Sequence, residues 1–164
     1  MNWLTKTISR ILPKKKASLD VPANSWSKCG KCQNMVYYEE LEKNLYCCPS
    51  CDFHFNISPR ARFKDLFDRG EFEEIEYSSG FSDPLNFKDV RSYKDRWNEA
   101  RNTSGTKEVF LVGIGEIKGI KVCVAHMNYF FLAGSVGQAG AEGLVKAAEE
   151  CVTRQIPLVV FCTS

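Results

Sequence analysis

The chain has 164 residues, 44% of them hydrophobic and 26% charged, with 11 Gly and 6 Pro. That is ordinary globular composition and excludes a collagenous, low-complexity or disordered chain. No apolar run is long enough to span a bilayer as a helix. The net charge of +2 hides an asymmetry: within residues 1–32, seven basic side chains (Lys6, Arg10, Lys14, Lys15, Lys16, Lys28, Lys31) face the single Asp20, while the remainder is mildly acidic. Residues 1–25 read as a basic arm. Its apolar residues are interrupted by Thr and Lys and do not form the core of a secretory signal.

Without an export signal the compartment is expected to be reducing, so the eight cysteines point to metal rather than to disulfides. Five of them lie between residues 29 and 51. Cys29-Gly30-Lys31-Cys32 and Cys48-Pro49-Ser50-Cys51 are two C-x2-C hooks at zinc-site spacing. Each two-residue spacer lets a tight turn aim both sulfurs at one point, and four thiolates close a tetrahedral shell, which makes the ion structural. Cys48 is preferred over the adjacent Cys47, whose spacer to Cys51 is three residues, and His54 is read as a surface residue. Met35–Tyr38 and Leu45-Tyr46 are expected to be strands flanking the polar segment 39–44, with a third strand over Phe53–Ile57. The expected module is a zinc ribbon over 26–58. From Ser27 to Arg60 basic and acidic residues balance at four each, so with four thiolates and one Zn²⁺ the module carries about −2. That disfavours a phosphate-binding surface, and its aromatics are expected to form its small core. A nucleic-acid-binding ribbon using the basic arm is the alternative reading.

Ser58-Pro59 signals a helix start, with Phe63, Leu66 and Phe67 as the apolar stripe and Gly70 as the stop. Phe72–Tyr77 is expected to be an edge strand, and Tyr93, Trp97 and Ala100 mark a second helix. Val109–Ile117 and Ile120–Met127 read as a hairpin turning at Lys118-Gly119, with Gly113 and Gly115 marking a bulge or a close backbone approach. Phe130–Gly137 leads into a long helix with Ala141, Leu144, Val145, Ala148, Cys151 and Val152 as its apolar face. Leu158–Cys162 is expected to be a strand buried on both faces. One hairpin and one helix cannot cover such a strand, so another subunit, or a longer protein of which this is the front part, is expected to complete the layer.

Several of these residues occur in the same order in a known family. Trp26-Ser27-Lys28-Cys29-Gly30-Lys31-Cys32, Tyr37–Asn44, Cys48-Pro49-Ser50-Cys51-Asp52-Phe53-His54 and the F-x-x-G-S-x-G of Phe131–Gly137 follow one another. The chain resembles the N-terminal half of the beta subunit of bacterial-type acetyl-CoA carboxylase carboxyltransferase. That resemblance implies an α/β fold, with a four-cysteine zinc ribbon followed, over 59–164, by the first part of a crotonase-like domain of strand-strand-helix repeats. It implies a cytoplasmic or plastid enzyme component of fatty-acid synthesis. This component moves a carboxyl group from carboxybiotin on a carrier protein to acetyl-CoA, with an alpha subunit, biotin carboxyl carrier protein and biotin carboxylase as partners and biotin only as a carrier-bound substrate. By the same resemblance Cys29, Cys32, Cys48 and Cys51 are the metal ligands. Ala133-Gly134-Ser135 matches a Gly-Gly-Ser loop beside the CoA thioester, with Ala133 in place of the usual first glycine, which strains the loop if the position needs φ > 0. No catalytic side chain is assigned. The family continues past the position of Ser164 with the other oxyanion contact, so the chain is expected to be truncated, split or completed by another polypeptide, and inactive alone.

Overall fold

The computed structural model describes residues 25–77 and 80–163, so the basic arm lies outside the described residues. The chain forms two units that divide between Phe53 and His54.

In the first unit, β1 (Trp26–Lys28) pairs antiparallel with β2 (Met35–Tyr37), placing Trp26 opposite Tyr37 and Lys28 opposite Met35. The polar segment expected to join two strands is instead a helix, α1 (Tyr38–Lys43). Its sequence favours that outcome: Glu39 and Glu40 sit in the first turn and Lys43 in the last, each matching the helix dipole, while Leu41 is buried. Residues 53–57 carry only a single bridge residue, His54, rather than a third strand. The module's core is Val36, Leu41 and Tyr46 beside Cys29 and Cys48, whereas Tyr38 and Phe53 are exposed. Most of the aromatics therefore do not form the core expected of them.

The second unit is a four-stranded sheet in the order β3-β4-β5-β6: Phe72–Glu74, Phe110–Ile117, Ile120–Met127 and Leu158–Phe161. The first three strands are antiparallel neighbours, while β6 runs parallel to β5. Three helices cover it: α2 (Pro59–Leu66), α3 (Tyr93–Thr103) and α4 (Gln138–Arg154). Ser58 and Ser92 cap α2 and α3, accepting from the backbone N–H of Ala61 and Asp95 at 3.3 and 3.1 Å. Strand alternation separates two cores. Leu111, Val122 and Val124 pack with Phe63 and Phe67 of α2. Val112, Ile114, Cys123, Ala125 and Met127 pack with Trp97 of α3 and with Ala147 and Cys151 of α4. Trp97 also donates its indole N–H to the buried Glu108 at 2.9 Å, which satisfies one oxygen of a carboxylate whose burial pushes its pKa up.

The glycines of β4 mark a close approach, with the ladder to β5 unbroken by a bulge. A Cβ on Gly113 would lie 2.8 Å from the Phe63 ring, and one on Gly115 2.5 Å from the Phe67 ring. The apolar face of α4 differs from the one expected. Ala139, Gly140, Gly143, Ala147 and Cys151 are buried, and Val145 and Val152 are exposed. The small side chains allow the close contact: a Cβ on Gly140 would lie 2.5 Å from Val109 Cγ1, and one on Gly143 2.4 Å from the Tyr77 ring. β6 also departs from expectation. It is an edge strand with Val159 and Val160 each 37% exposed, because no described element lies beyond it or completes the layers over it.

The β4–β5 turn is Lys118-Gly119, both at positive φ (52° and 75°), as a two-residue hairpin requires. The Asp68 carboxylate accepts both turn amides, Lys118 N at 3.0 Å and Gly119 N at 2.8 Å. These bonds, that from Gly119 foremost, hold its pKa below the usual carboxylate range. A depressed folded pKa gives stability that is present above the unfolded value of about 3.9 and lost as pH falls through the folded one. Asp68→Ala should therefore lower the thermal midpoint at pH 7, and the gap from the parent should narrow below about pH 3. A gap that does not depend on pH would contradict this role.

Candidate metal centre and substrate loop

Cys29 follows β1, Cys32 lies in the turn between β1 and β2, and Cys48 and Cys51 occupy the turn after α1. The four sulfurs all lie within 4.8 Å of one another. Two of the edges, Cys29–Cys51 and Cys32–Cys48, measure 3.7 Å. A tetrahedron with 2.3 Å metal–sulfur bonds has edges of about 3.8 Å, so the donor set fits a Zn²⁺ ion with no vacant position. The two hooks are folded together by local backbone bonds: Cys29 N to Asn34 O at 2.9 Å, Gln33 N to Cys29 O at 3.0 Å, Cys48 N to Phe53 O at 2.8 Å and Asp52 N to Cys48 O at 2.9 Å. Positive φ at Gln33 and Asp52 turns the chain after each hook.

The electrostatics of the cluster are uneven. Burial raises the Cys29 thiol, but backbone N–H groups of Cys32 and Lys31 outweigh it and bring the pKa to about 6. Burial together with the neighbouring sulfurs pushes Cys51 up to about 12. Four thiolates in this volume need a cation to share their charge. Cys47 stands apart, with its sulfur 3.9 Å from Leu45 O and outside the four-sulfur group; His54 is exposed. The four cysteines picked out by hook spacing are thus the four the fold brings together.

The second unit carries the candidate substrate loop. Leu132–Gly134 is a single 3-10 turn in which three successive residues have positive φ, at 47°, 53° and 80°. Ala133 holds the middle place, so a β-carbon sits where the backbone is left-handed. Ala133 and Ser135 are exposed and Gly134 is buried. Ser135 N bonds Leu132 O at 3.0 Å. Val136 and Gly137 then separate the loop from α4. Gly137 caps that helix without a side-chain bond, and no acidic residue lies in its first turn. Its free N–H groups and the positive end of its dipole are thereby left available to an anionic or polarised oxygen. A cleft of about 410 Å³ opens here, lined by Leu85, Phe87, Tyr93, Leu132, Ser135 and Gln138 among others.

Two residues that hold this loop were not among those singled out by sequence. Asn128 is fully buried. Its side chain donates to Ser104 O at 3.0 Å and Thr106 Oγ1 at 2.9 Å and accepts from Phe130 N at 3.0 Å, which uses both ends of the amide. An Asn directly after a strand is a usable signal for such a turn. Tyr93 places its hydroxyl against Gly137, where a Cβ would lie 2.7 Å from it. Sequence offered Tyr93 only as part of a helix stripe.

A four-sulfur ribbon joined to a mixed α/β sheet unit is a zinc-ribbon protein, and comparison with known proteins narrows the class. Residues 26–51 match the family described as acetyl-CoA carboxylase zinc finger domain. The acetyl-coenzyme A carboxylase carboxyl transferase subunit beta of Dinoroseobacter shibae is 37% identical over 161 residues, covering 98% of this chain and 50% of that protein. The same-named proteins of Clostridium botulinum (strain Eklund 17B / Type B) and Sinorhizobium medicae are each 36% identical, over 88% and 100% of this chain and 49% and 54% of theirs. The chain spans about half the length of the curated relatives it matches. The resemblance read from its motifs is borne out: the chain is a relative of the N-terminal half of acetyl-CoA carboxylase carboxyltransferase beta subunits. Among the described residues no helix is long and apolar enough to cross a membrane.

Two outcomes follow for these sites. Freshly purified reduced protein should contain one Zn²⁺ per chain by elemental analysis. Cys51→Ser should lose the metal together with amide protection over residues 26–53, while β4 and β5 stay protected; retention of stoichiometric zinc in that variant would contradict the four-thiolate shell. Ala133→Gly should stabilise the chain by roughly 0.5–1 kcal/mol. This is the left-handed penalty of about 1–2 kcal/mol less the extra chain entropy of glycine. Destabilisation in urea titrations would show that the β-carbon is not strained.

Proposed function

We propose that the chain is the zinc-ribbon-bearing half of the beta component of a biotin-dependent acetyl-CoA carboxyltransferase, acting in the cytoplasm or a plastid. In this reading the complete enzyme moves a carboxyl group from carboxybiotin on a carrier protein to acetyl-CoA, giving malonyl-CoA for fatty-acid synthesis. The partners are an alpha subunit, biotin carboxyl carrier protein and biotin carboxylase. The observation that carries it is the match to beta subunits along 88–100% of the chain, together with the four sulfurs within 4.8 Å of one another.

Within that reading, Cys29, Cys32, Cys48 and Cys51 hold Zn²⁺, which fixes the ribbon and takes no part in the reaction. Ala133, Gly134 and Ser135 lie beside the CoA thioester in the first part of a crotonase-like domain. Their small side chains admit close backbone approach. Backbone N–H groups here and at the start of α4 stabilise the enolate oxygen that develops when biotin, having released its CO₂, takes a methyl proton from acetyl-CoA and the enolate carbon bonds to that CO₂. These groups are already oriented and need no rearrangement. Asn128 and Tyr93 keep the loop and the helix start in place. The carboxyl group, the carrier and the other oxyanion contact require polypeptide beyond this chain.

The test is co-expression of this chain with the unmatched half of the Dinoroseobacter shibae relative and with an alpha subunit, followed by transfer of labelled carboxyl from carboxybiotin carrier protein to acetyl-CoA. Labelled malonyl-CoA is expected from the reconstituted assembly and none from this chain alone. A folded assembly that forms no malonyl-CoA would overturn the reading.

A further inference from the structure

Gly137, the N-cap of α4, has φ −90° and ψ −175°. This is extended backbone open to any residue, so the local conformation does not demand glycine, and a serine would cap the helix better. The space around it does demand glycine. A Cβ at Gly137 would lie 2.7 Å from the Tyr93 hydroxyl oxygen. Apart from chain neighbours, the only further atom of the described residues within 4 Å of that point is Tyr93 Cζ. Glycine at 137 therefore makes room for one phenol oxygen.

The ring that carries this oxygen is fixed on several sides. Tyr93 N bonds Phe87 O at 2.9 Å. The ring packs on Phe81 at 5.5 Å, and Phe81 packs on Trp97 at 5.3 Å, which is itself anchored on Glu108. The hydroxyl, by contrast, has no hydrogen-bond partner among the described residues, whereas that of Tyr77 donates to Phe110 O at 2.7 Å. Burial, then the charges of Glu108 and Asp83, push the pKa of Tyr93 up, so at neutral pH the oxygen keeps its proton and can donate. It borders the cleft of about 410 Å³ whose apolar wall includes Leu85, Phe87, Leu132 and Val136. Apolar walls with a few converging polar groups are the usual form of a small-molecule site. Here the polar groups are the Tyr93 and Ser135 hydroxyls, beside Gly137 and Gln138 where α4 begins.

We propose that Tyr93 is a further substrate-contacting residue of the carboxyl transfer, its hydroxyl donating a hydrogen bond to the thioester oxygen of acetyl-CoA as that oxygen gains enolate charge. The phenol keeps its proton throughout. The methyl proton of acetyl-CoA passes to the biotin that has released its CO₂, and the enolate carbon bonds to that CO₂. A donor fixed before the charge develops needs no reorganisation, and it favours the charged transition state over the bound substrate. The inference rests on the carboxyltransferase reading for the identity of the oxygen. The placement of the hydroxyl rests on Gly137, the ring packing and the cleft alone.

The test uses the full chain assembled with the unmatched half of the Dinoroseobacter shibae relative and an alpha subunit. Infrared difference spectra of bound acetyl-CoA, labelled with carbon-13 at the carbonyl, are recorded beside malonyl-CoA kinetics. In the parent the thioester carbonyl stretch should move to lower frequency on binding. Tyr93→Phe should return part of that shift and lower kcat by about a hundredfold, the order of effect of one oxyanion donor, with KM for acetyl-CoA little changed. Gly137→Ala, whose new Cβ displaces the hydroxyl, should reproduce both changes. In the Tyr93→Phe background it should add little, because the ring carbon Cζ lies 4.0 Å from that Cβ. A stretch that Tyr93→Phe leaves unmoved would overturn the inference, whether kcat falls through a merely structural effect or stays at the parent value. Independent, additive effects of the two substitutions would overturn it as well. Malonyl-CoA formed by the parent in either case leaves the functional reading standing. A stretch shift lost in the variant, from an assembly that binds acetyl-CoA but makes no malonyl-CoA, would uphold the contact and refute that reading. A parent assembly that binds no acetyl-CoA would overturn both.

Discussion

The first unit depends on bringing four sulfurs into contact. Its apolar core is Val36, Leu41 and Tyr46, with two of the cysteines completing it. Such a core is too small to offset the conformational entropy of ordering residues 26–53. Four thiols at mutual distances under 4.8 Å are stable as thiolates only with a cation between them, and binding that cation is the folding energy of such modules. The local features serve this end. Hairpin β1–β2 and helix α1 carry the two hooks, and left-handed residues after each hook close the turns. Four thiolates leave the ion no open coordination position, so its contribution is structural.

The second unit is held by different physics. Two glycines in β4 let the rings of Phe63, Phe67 and Phe72 lie directly on the sheet, with Phe63–Phe72 edge to face at 5.0 Å. On the other face, α4 comes close through its own glycines, which brings its N-terminus and the preceding left-handed turn to the end of β5. Asn128, buried at that junction, ties the turn to the segment between α3 and β4. A turn with three successive left-handed residues needs rigid support of this kind, and that support comes from the sheet, from α3 and from α4. The left-handed Ala133 is the strained element of the site.

Much of this was legible in the sequence where a residue type has one local meaning. The C-x2-C hooks, the Ser58-Pro59 helix start and the Lys118-Gly119 hairpin each follow from side-chain chemistry within a few residues. Three features were not. The segment 39–44 reads as a polar connection until the burial of Leu41 makes it a helix. The α4 face was misjudged because its contact surface is made of Gly140, Gly143 and Ala147, which hydrophobicity undervalues and which only the positions of Tyr77 and Val109 explain. β6 reads as an interior strand, and its half-exposed state reflects packing partners that its own sequence cannot supply. The support given by Asn128 and Tyr93 was hidden for the same reason, since their partners are 22 to 44 residues away in sequence.

The most direct test of the central claim is X-ray absorption at the zinc edge on the reduced, purified full chain. The account predicts a single shell of four sulfur scatterers at about 2.3 Å, with no nitrogen or oxygen in the first shell. A mixed shell containing imidazole nitrogen or water, or a chain that binds no zinc while Cys29, Cys32, Cys48 and Cys51 remain reduced, would contradict it.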